Sequence, residues 1–387
     1  MGTNDKKSYF ERIKKRYKKA SRSEKKVILN EYCANSCYHR KYAIFKLNKR
    51  IKRNKSRSGP KPKYEGKLFL TVLKKIWLAS DQMCSKKLKS VIPEWLPHYE
   101  STYQKLDAKT KDLLLNISPA SIDRVLEALK IKRKRLNGTK PGTLLKNQIP
   151  IQTNAWDNNR PGYMEADTVA HCGNSLADSF VWSLTLTDIN TGWTESRATW
   201  NKGASGILEN IRNIEDSLPF ELLGFDCDNG SEFLNYHLLR YFTKRKEPVK
   251  FTRSRPYHKN DNAHVEQKNW SHVRELFGYD RFDNPELVEL MNDLYRNEWS
   301  LYQNHFVPKM KLKEKIKINS KYRKTYDKPK TPYLRILESE YIPEETKKQL
   351  KMLHETLNPF KLQQAKERKL QKIFKLVKIS SNVRRRL

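Results

Sequence analysis

The sequence changes character after Pro150, where basic helical segments give way to short runs rich in Val, Thr, Trp and Leu. Three of these runs have the length and composition of strands separated by tight turns, and they lie at 163–169, 180–189 and 193–200. Helix and strand patterns then alternate, beginning and ending with a helix, at 204–218, 222–228, 232–244, 249–252 and 262–277. The order βββαβαβα predicts an α/β domain built around a mixed five-stranded sheet.

The net charge of +36 is distributed unevenly along the chain. Residues 1–150 carry a net charge of +27 and residues 301–387 carry +16, whereas residues 151–300 carry −7. Two strongly basic arms are expected to attract a polyanion, which for such a protein is usually nucleic acid. The distribution favours phosphate contacts in the arms and carboxylate chemistry in the centre, although solvated lysine faces in a basic proteome would give the same totals.

Length and composition exclude several classes of protein. A chain of 387 residues is too long for a single small module and predicts two or three domains. Its 8 Trp, 19 Tyr and 14 Phe supply the large side chains of a core, so wholesale disorder is not expected. The five cysteines are odd in number and sparse, which favours reduced thiols. No apolar run is long enough to predict a membrane span, and no secretory signal is expected. We expect a cytoplasmic, DNA-associated protein.

The N-terminal half is predicted to bind DNA through helices. Residues 1–55 combine a basic arm, expected to be flexible or marginally helical, with a helix-turn-helix pattern at 23–48. In a recognition helix at 38–47, the N-terminal residues that meet DNA would be His39, Arg40 and Lys41. A plain helical hairpin is the alternative. Residues 64–130 form a second helical region with apolar periodicity at 68–78 and 113–129, and residues 131–154 form a basic linker.

Three acidic residues in the central domain stand out. Asp167 lies inside the first strand, where a charge is costly unless it is paired or binds a cation. Asp228 ends the fourth strand and precedes Asn229-Gly230, a turn signal that leaves its carboxylate at the carboxyl edge of the sheet. Glu266 lies early in the last predicted helix, beside an apolar face. Three hard oxygen ligands suit Mg²⁺ or Mn²⁺ better than zinc.

These residues carry a resemblance to a known superfamily. The segments EADT (165–168), DNGSEF (228–233) and RPYHKNDNAHVEQKN (255–269) resemble the catalytic core of retroviral integrases and bacterial insertion-sequence transposases. The resemblance covers residues 155–305 and implies a ribonuclease H-like fold in which Asp167, Asp228 and Glu266 are the catalytic, metal-binding acids. Retroviral members also carry a His/Cys zinc module, which Cys33, Cys37 and His39 do not complete. The resemblance is therefore closer to a DDE transposase of a bacterial mobile element.

The resemblance also implies an activity. Two Mg²⁺ or Mn²⁺ ions per active site would support phosphodiester hydrolysis at element ends and strand transfer into target DNA, and a homo-oligomer would hold the two inverted repeats. The loop residues His258, Lys259 and Asn260, and Lys268 in the helix, would touch DNA; a solvated loop is the alternative. Residues 306–387 are expected to form a basic helical region, with helices at 343–357 and from 358 to about 377.

Two other functions remain open at this stage. The chain could be a DNA-binding regulator derived from a transposase, with a folded but inactive core. It could also be a nuclease that only hydrolyses DNA. The presence of all three acids favours an active enzyme, and separate DNA-binding modules in the N-terminal half favour the recognition of element ends over simple hydrolysis.

Overall fold

The computed structural model describes residues 3–48, 63–64, 66–129, 160–228, 230, 232–253, 268–318 and 321–384. The chain forms two compact units, Met1–Lys63 and Tyr64–Leu387. Within the described residues, no helix is both long and apolar enough to cross a membrane. The predicted linker at 131–154 lies outside the described residues, and the finer division into domains stays a prediction.

The N-terminal unit consists of three helices: α1 (Thr3–Lys19), α2 (Arg22–Ser36) and α3 (Arg40–Asn48). Ser21 caps α2 through a capping box with Glu24, and Cys37 ends the helix in the left-handed region at φ 55°. The expectation of a flexible or marginally helical arm needs correction, because α1 buries Ile13 and Tyr17 against α2 and α3. An apolar stripe with helical spacing at Tyr9, Phe10, Ile13 and Tyr17 runs through the basic residues and explains this packing.

The second unit opens with four helices: α4 (Lys67–Ala79), α5 (Ser85–Thr102), α6 (Ala108–Asn116) and α7 (Pro119–Leu126). Ser118 caps α7 and Pro119 occupies its first turn, where the missing N–H of proline costs no hydrogen bond. Helix α5 was not predicted, and it contains Pro93 and Pro97 within its span. Its buried residues, with Trp95 at the centre, nevertheless pack it firmly into the core.

The predicted mixed sheet is confirmed, and it has five strands within the described residues. Its strands are β1 (Tyr163–Ala170), β2 (Val181–Asp188), β3 (Thr194–Trp200), β4 (Gly224–Cys227) and β5 (Lys250–Arg253). They lie side by side in the order β3-β2-β1-β4-β5. Because β1 to β3 pair antiparallel whereas β1, β4 and β5 pair parallel, β1 is the strand at which the direction of pairing changes.

The two faces of the sheet differ in polarity. One face is apolar, and Met164, Ala166 and Phe225 pack there under α8 (Ala204–Glu215) and α9 (Tyr236–Thr243). The opposite face carries Ser183 and Thr185, both fully buried. Hydrogen bonds satisfy this buried polarity, since Ser183 Oγ lies 2.8 Å from both Tyr295 Oη and His171 Nε2.

Helices cover the polar face and the β3 edge. Helix α10 begins as a π-helical turn, Asn269–Arg274, and continues as Glu275–Phe277. It is followed by α11 (Glu286–Leu294) and α12 (Ser300–Phe306), which a π-helical turn, Tyr295–Trp299, connects. Two asparagines pair with the free edge of β3 as another strand would. Asn304 accepts from Thr194 N (2.9 Å) and donates to Thr194 O (3.0 Å). Asn292 does the same with Ala198 N (2.7 Å) and Ala198 O (3.0 Å).

The C-terminal region is helical, but it also contains a β-hairpin that was not predicted. The hairpin pairs β6 (Leu312–Ile318) with β7 (Lys321–Tyr326) and precedes α13 (Pro332–Glu338), α14 (Glu344–Thr356) and α15 (Pro359–Arg384). The basic composition of these strands hid the signal, although Leu312, Ile316 and Ile318 alternate with lysines in β6. Helix α15 packs Phe360, Ile373 and Val377 into the same core as α4, α5, α11 and α12.

We expect Asn304→Ala to destabilise the protein by about 2–4 kcal/mol, because two buried backbone groups would each lose a partner at about 1–3 kcal/mol. The measurement is chemical unfolding of the full chain. The matched control is Asn297→Ala, whose exposed side chain bonds only to Asp293, and it should change stability by less than about 0.5 kcal/mol. Equal effects of the two substitutions would show that the amide does not stabilise the edge of β3.

Candidate active site

The parallel pairing of β1 with β4 brings Asp167 and Asp228 side by side. The last residues in register are Ala166 and Cys227, so Asp167 and Asp228 are the next position along both strands. Side chains alternate along a strand, which places both carboxylates on the polar face, opposite the face that Ala166 and Cys227 fill. Two acids that lie 61 positions apart in the sequence therefore meet at the carboxyl end of β4.

Hydrogen bonds from two neighbouring groups orient Asp167. The backbone N–H of Thr168 donates to Asp167 Oδ1 at 2.7 Å. The side-chain amide of Asn269 donates to Asp167 Oδ2 at 2.5 Å, which ties the first turn of α10 to the middle of β1. The Asp167 side chain is partly exposed, so the carboxylate is oriented while it stays accessible.

Asp228 lies in a more costly environment. The backbone N–H of Gly230 donates to Asp228 Oδ1 at 2.9 Å. Burial raises the pKa of the Asp228 carboxyl, and the negative charge of Glu232 raises it further, while the Gly230 bond and the charge of Lys202 oppose the shift. The net effect is a raised pKa, so the ionised form of the Asp228 carboxyl is disfavoured where it lies.

Glu232 is a buried acid beside Asp228, and the sequence analysis gave it no role. Its side chain is 0% exposed and forms an ion pair with Lys202 at 2.6 Å. Thr168 Oγ1 donates to Glu232 Oε1 at 2.9 Å, whereas Glu232 Oε2 is buried without a donor among the described residues. A side chain at Gly230 would place Cβ only 2.3 Å from Glu232 Oε2. The sequence signal for this proximity was the spacing of four residues between Asp228 and Glu232.

A second pair of acids lies one position deeper on the same face. Glu165 and Asp226 are in register and only 3% and 4% exposed. Thr252 Oγ1 donates to Asp226 Oδ1 at 2.5 Å from the neighbouring strand β5. These acids are therefore engaged inside the sheet, whereas Asp167 and Asp228 lie nearer the open end.

Two lysines with buried ammonium groups lie close to Asn269, the residue that contacts Asp167. Lys268 precedes Asn269, and its Nζ is buried with no acceptor among the described residues. Burial lowers the pKa of Lys268 to about 7, with the charge of Lys87 contributing to the shift and a hydrogen bond with Lys309 opposing it. Lys309 Nζ lies 3.2 Å from His272 Nε2 and donates to Gln303 Oε1 at 2.9 Å. Burial and the neighbouring lysines likewise lower the pKa of Lys309 and of His272.

The structure brings together only part of the predicted site. Glu266 and the predicted DNA-binding residues His258, Lys259 and Asn260 lie outside the described residues. Among the residues that are described, no group of three or more His, Cys, Asp or Glu side chains could hold a metal ion. Asp167 and Asp228 supply hard oxygen atoms suited to Mg²⁺, so they fit two members of a three-acid set. Lys268 lies inside the protein beside Lys309 rather than on an open surface.

The other predicted DNA-binding residues belong to the N-terminal unit. His39 lies in the turn between α2 and α3, and Arg40 and Lys41 begin α3; all three are exposed. Arg40 donates to Asn30 Oδ1 on α2. Tyr38 and Tyr42 are also exposed, and Lys46 Nζ lies 4.4 Å from the centre of the Tyr38 ring. This end of α3 therefore combines cations with aromatic rings.

Comparison with known proteins gives one extensive sequence match. The chain is 36% identical over 334 residues to a Sinorhizobium fredii (strain NBRC 101917 / NGR234) protein named uncharacterized protein y4rM. The match covers 84% of this chain and 93% of that protein. No protein-family model matches the chain.

Similar solved structures include two integrase cores. The catalytic core domain of BIV integrase is 16% identical, with a TM-score of 0.30, and the match covers 46% of this chain and 95% of that one. The HTLV-2 integrase catalytic core domain, solved in complex with magnesium in a dimeric form, is 17% identical, with a TM-score of 0.27, and the match covers 38% and 90%. At these scores the similarity carries no functional conclusion for this chain.

We expect Glu232→Gln to lower the pKa of Asp228, because the substitution removes the like charge that helps to raise it. The measurement is a titration of the side-chain carboxyl signals by ¹³C NMR, with Asp228→Asn to assign the resonance. Glu209→Gln, an exposed change on α8, is the control and should leave the titration of Asp228 unaltered. An unchanged or higher Asp228 pKa in Glu232→Gln would contradict the proposed coupling of the two acids.

Proposed function

The chain belongs to the family of the Sinorhizobium fredii protein y4rM, and we propose that it is a DNA transposase of the DDE type. The proposed reaction is metal-dependent phosphodiester hydrolysis at element ends followed by strand transfer into target DNA. The observation that carries the proposal is the register of β1 and β4, whose last pair, Ala166 and Cys227, makes Asp167 and Asp228 the next residues along the two chain segments. The motif that contains Glu266 follows in the sequence order expected for a third acid.

Asp167, Asp228 and Glu266 would hold two Mg²⁺ or Mn²⁺ ions. When bound, such ions activate the attacking oxygen and stabilise the leaving oxygen of an in-line displacement. The raised pKa of Asp228 supports this assignment, because burial and the charge of Glu232 make the ionised carboxylate costly and a bound cation would offset that cost. The hard oxygen donors of the three acids also match these ions better than zinc or copper.

The surrounding residues would keep the acids in place. Asn269 and the Thr168 N–H fix both oxygens of Asp167, and Gly230 N–H fixes one oxygen of Asp228. Lys202 pairs with Glu232, which places a cation against this buried acid. Orientation by fixed hydrogen bonds reduces the reorganisation needed when a charged substrate binds.

DNA recognition would lie mainly in the N-terminal half. Its net charge of +27 supplies the phosphate contacts, and His39, Arg40 and Lys41 occupy an exposed helix start that suits the major groove. His258, Lys259 and Asn260 would act near the cut strand. Two element ends must be processed together, so we further propose a homo-oligomer on DNA.

The decisive test measures cleavage and strand transfer by the full chain on DNA carrying the flanking inverted repeats, with Mg²⁺ or Mn²⁺. We expect Asp167→Asn, Asp228→Asn and Glu266→Gln each to abolish both steps while DNA binding persists, because each removes a charged ligand. Asp226→Asn and Glu165→Gln are the comparison variants, and we expect them to retain activity within a modest factor once equal folding has been verified.

Three results would contradict this assignment. A wild-type chain that binds the ends without cutting them would indicate a regulator with an inactive core. Cleavage without joining would indicate a nuclease. Activity in Asp228→Asn together with inactivity in Asp226→Asn would move the site to the inner acids.

We expect the double variant Arg40→Ala and Lys41→Ala to weaken binding to the inverted repeats and to reduce their preference over random DNA. If both side chains contact phosphates, the log–log dependence of affinity on salt should become shallower by about 1.8. The measurement is fluorescence anisotropy over a range of salt concentrations. Lys18→Ala with Lys19→Ala removes equal charge from exposed positions on α1 and should leave sequence preference intact. Loss of preference only in this control would contradict the role assigned to α3.

A further inference from the structure

A basic groove lies between α8 and α9, on the apolar side of the sheet. It has a volume of about 460 Å³, and its lining consists of Leu208, Arg212, His237, Arg240, Tyr241, Lys244 and Arg245. Four of these seven residues are permanent cations at neutral pH, and Leu208 is the only aliphatic one. A pocket for a small organic ligand is normally lined mainly by apolar groups, so the chemistry of this groove suits an anion.

The groove has a fixed geometry at its centre. The Tyr241 ring lies between two guanidinium groups, 5.0 Å from that of Arg212 and 5.5 Å from that of Arg245. Tyr241 Oη donates to Glu215 Oε2 at 2.5 Å, and Arg245 pairs with the same carboxylate. Burial and the bond to Glu215 raise the pKa of Tyr241 to about 12, so the phenol stays neutral. The Glu215 carboxylate and the Tyr241 side chain thereby connect α8 with α9.

The positive charge in the groove is not balanced. Glu215 is paired with Arg245, whereas Arg212, Arg240 and Lys244 form no ion pair within the described part of the chain. Cations at helix C-termini also offset the helix dipole. That effect acts within each helix, however, and does not require cations from two helices to converge on one groove.

We propose that this groove binds backbone phosphates of a DNA segment other than the one at Asp167 and Asp228. Arginine guanidinium groups bind phosphate oxygens through paired hydrogen bonds, and three unpaired cations can engage neighbouring phosphates. The choice of DNA as the ligand rests on the proposed function, while the anion chemistry rests on the groove itself.

Location separates this groove from the acids. Helices α8 and α9 pack on the face that carries Ala166, whereas Asp167 points to the opposite face. The sheet and a helix layer about 10 Å thick therefore lie between the groove and the carboxylates. Because the groove and the acids lie on opposite sides of the sheet, the DNA in the groove would be bent flanking DNA or a second duplex.

Photo-cross-linking tests occupancy directly. The full-length chain, made inactive by Asp167→Asn, would carry p-benzoylphenylalanine in place of His237, with the same probe in place of exposed Met352 on α14 as the control. We expect irradiation with labelled duplex DNA to give a cross-link from position 237 that exceeds that from position 352 at least tenfold. A cross-link at position 237 no stronger than at the control would overturn the inference.

Charge reversal provides the second measurement. Arg240→Glu with Lys244→Glu should make the salt dependence of binding to long duplexes shallower by at least about 1.8, because two phosphate contacts are lost. The control, Lys348→Glu with Lys351→Glu, makes the same charge change at exposed positions on α14 and should alter the slope by less than half as much. Equal slopes for the two variants would overturn the proposed groove contact. This is also the result expected if the groove binds an acidic protein instead of DNA.

The two hypotheses fail separately. The groove variant should still cut a short duplex that ends near the cleavage site, because it leaves the acids unchanged. A wild-type chain that cuts DNA but gives no cross-link from the groove would reject only the groove. A cross-link from the groove in a chain without any cleavage would reject only the proposed catalytic function.

Discussion

The parallel pairing of β1 with β4 is the interaction on which the rest of the second unit depends. It joins an antiparallel three-strand meander to two parallel strands, and it fixes the register in which Asp167 and Asp228 become neighbours. A shift of one residue would turn every side chain of β4 to the opposite face and separate the acids. The apolar row of Met164, Ala166 and Phe225 under α8 and α9 opposes such a shift.

Bringing carboxylates together in a partly buried place is unfavourable, and the structure relieves only part of that cost. Lys202 neutralises Glu232, and backbone N–H groups and Asn269 stabilise the remaining oxygens. Asp228 nevertheless keeps a raised pKa. Beside Asn269, burial also lowers the pKa of Lys268 and of Lys309, so the ionisation of basic groups is perturbed as well. Perturbed charges of both signs within one region are typical of functional sites, because a purely structural core would avoid them.

The helices around the sheet serve as more than cover. Asparagine amides on α11 and α12 complete the hydrogen bonds of β3, so this edge cannot pair with another strand. Helices α4 and α5 share a core with α11, α12 and α15. Segments that are distant in sequence, among them a helical region predicted to bind DNA, therefore also support the polar face of the sheet.

The sequence by itself determined the order of elements and the identity of the candidate acids. Alternation and turn residues located the strands to within a few residues, because period-two and helical patterns are local properties. Asp167 and Asp228 were recognisable because each interrupts or ends a strand beside a distinctive motif. Helix α5 was missed because Pro93 and Pro97 argue locally against a helix, and the hairpin β6–β7 because its strands are lysine-rich.

Only the tertiary structure decided which groups meet. The role of Glu232 depends on Lys202 and Thr168, which approach it from other elements, so no local pattern could predict that environment. The burial of Lys268 beside Lys309 and the convergence of α8 and α9 on one basic groove have the same origin. Hydrophobic periodicity specifies which face of an element is buried, whereas strand register and helix packing bring distant polar groups into contact.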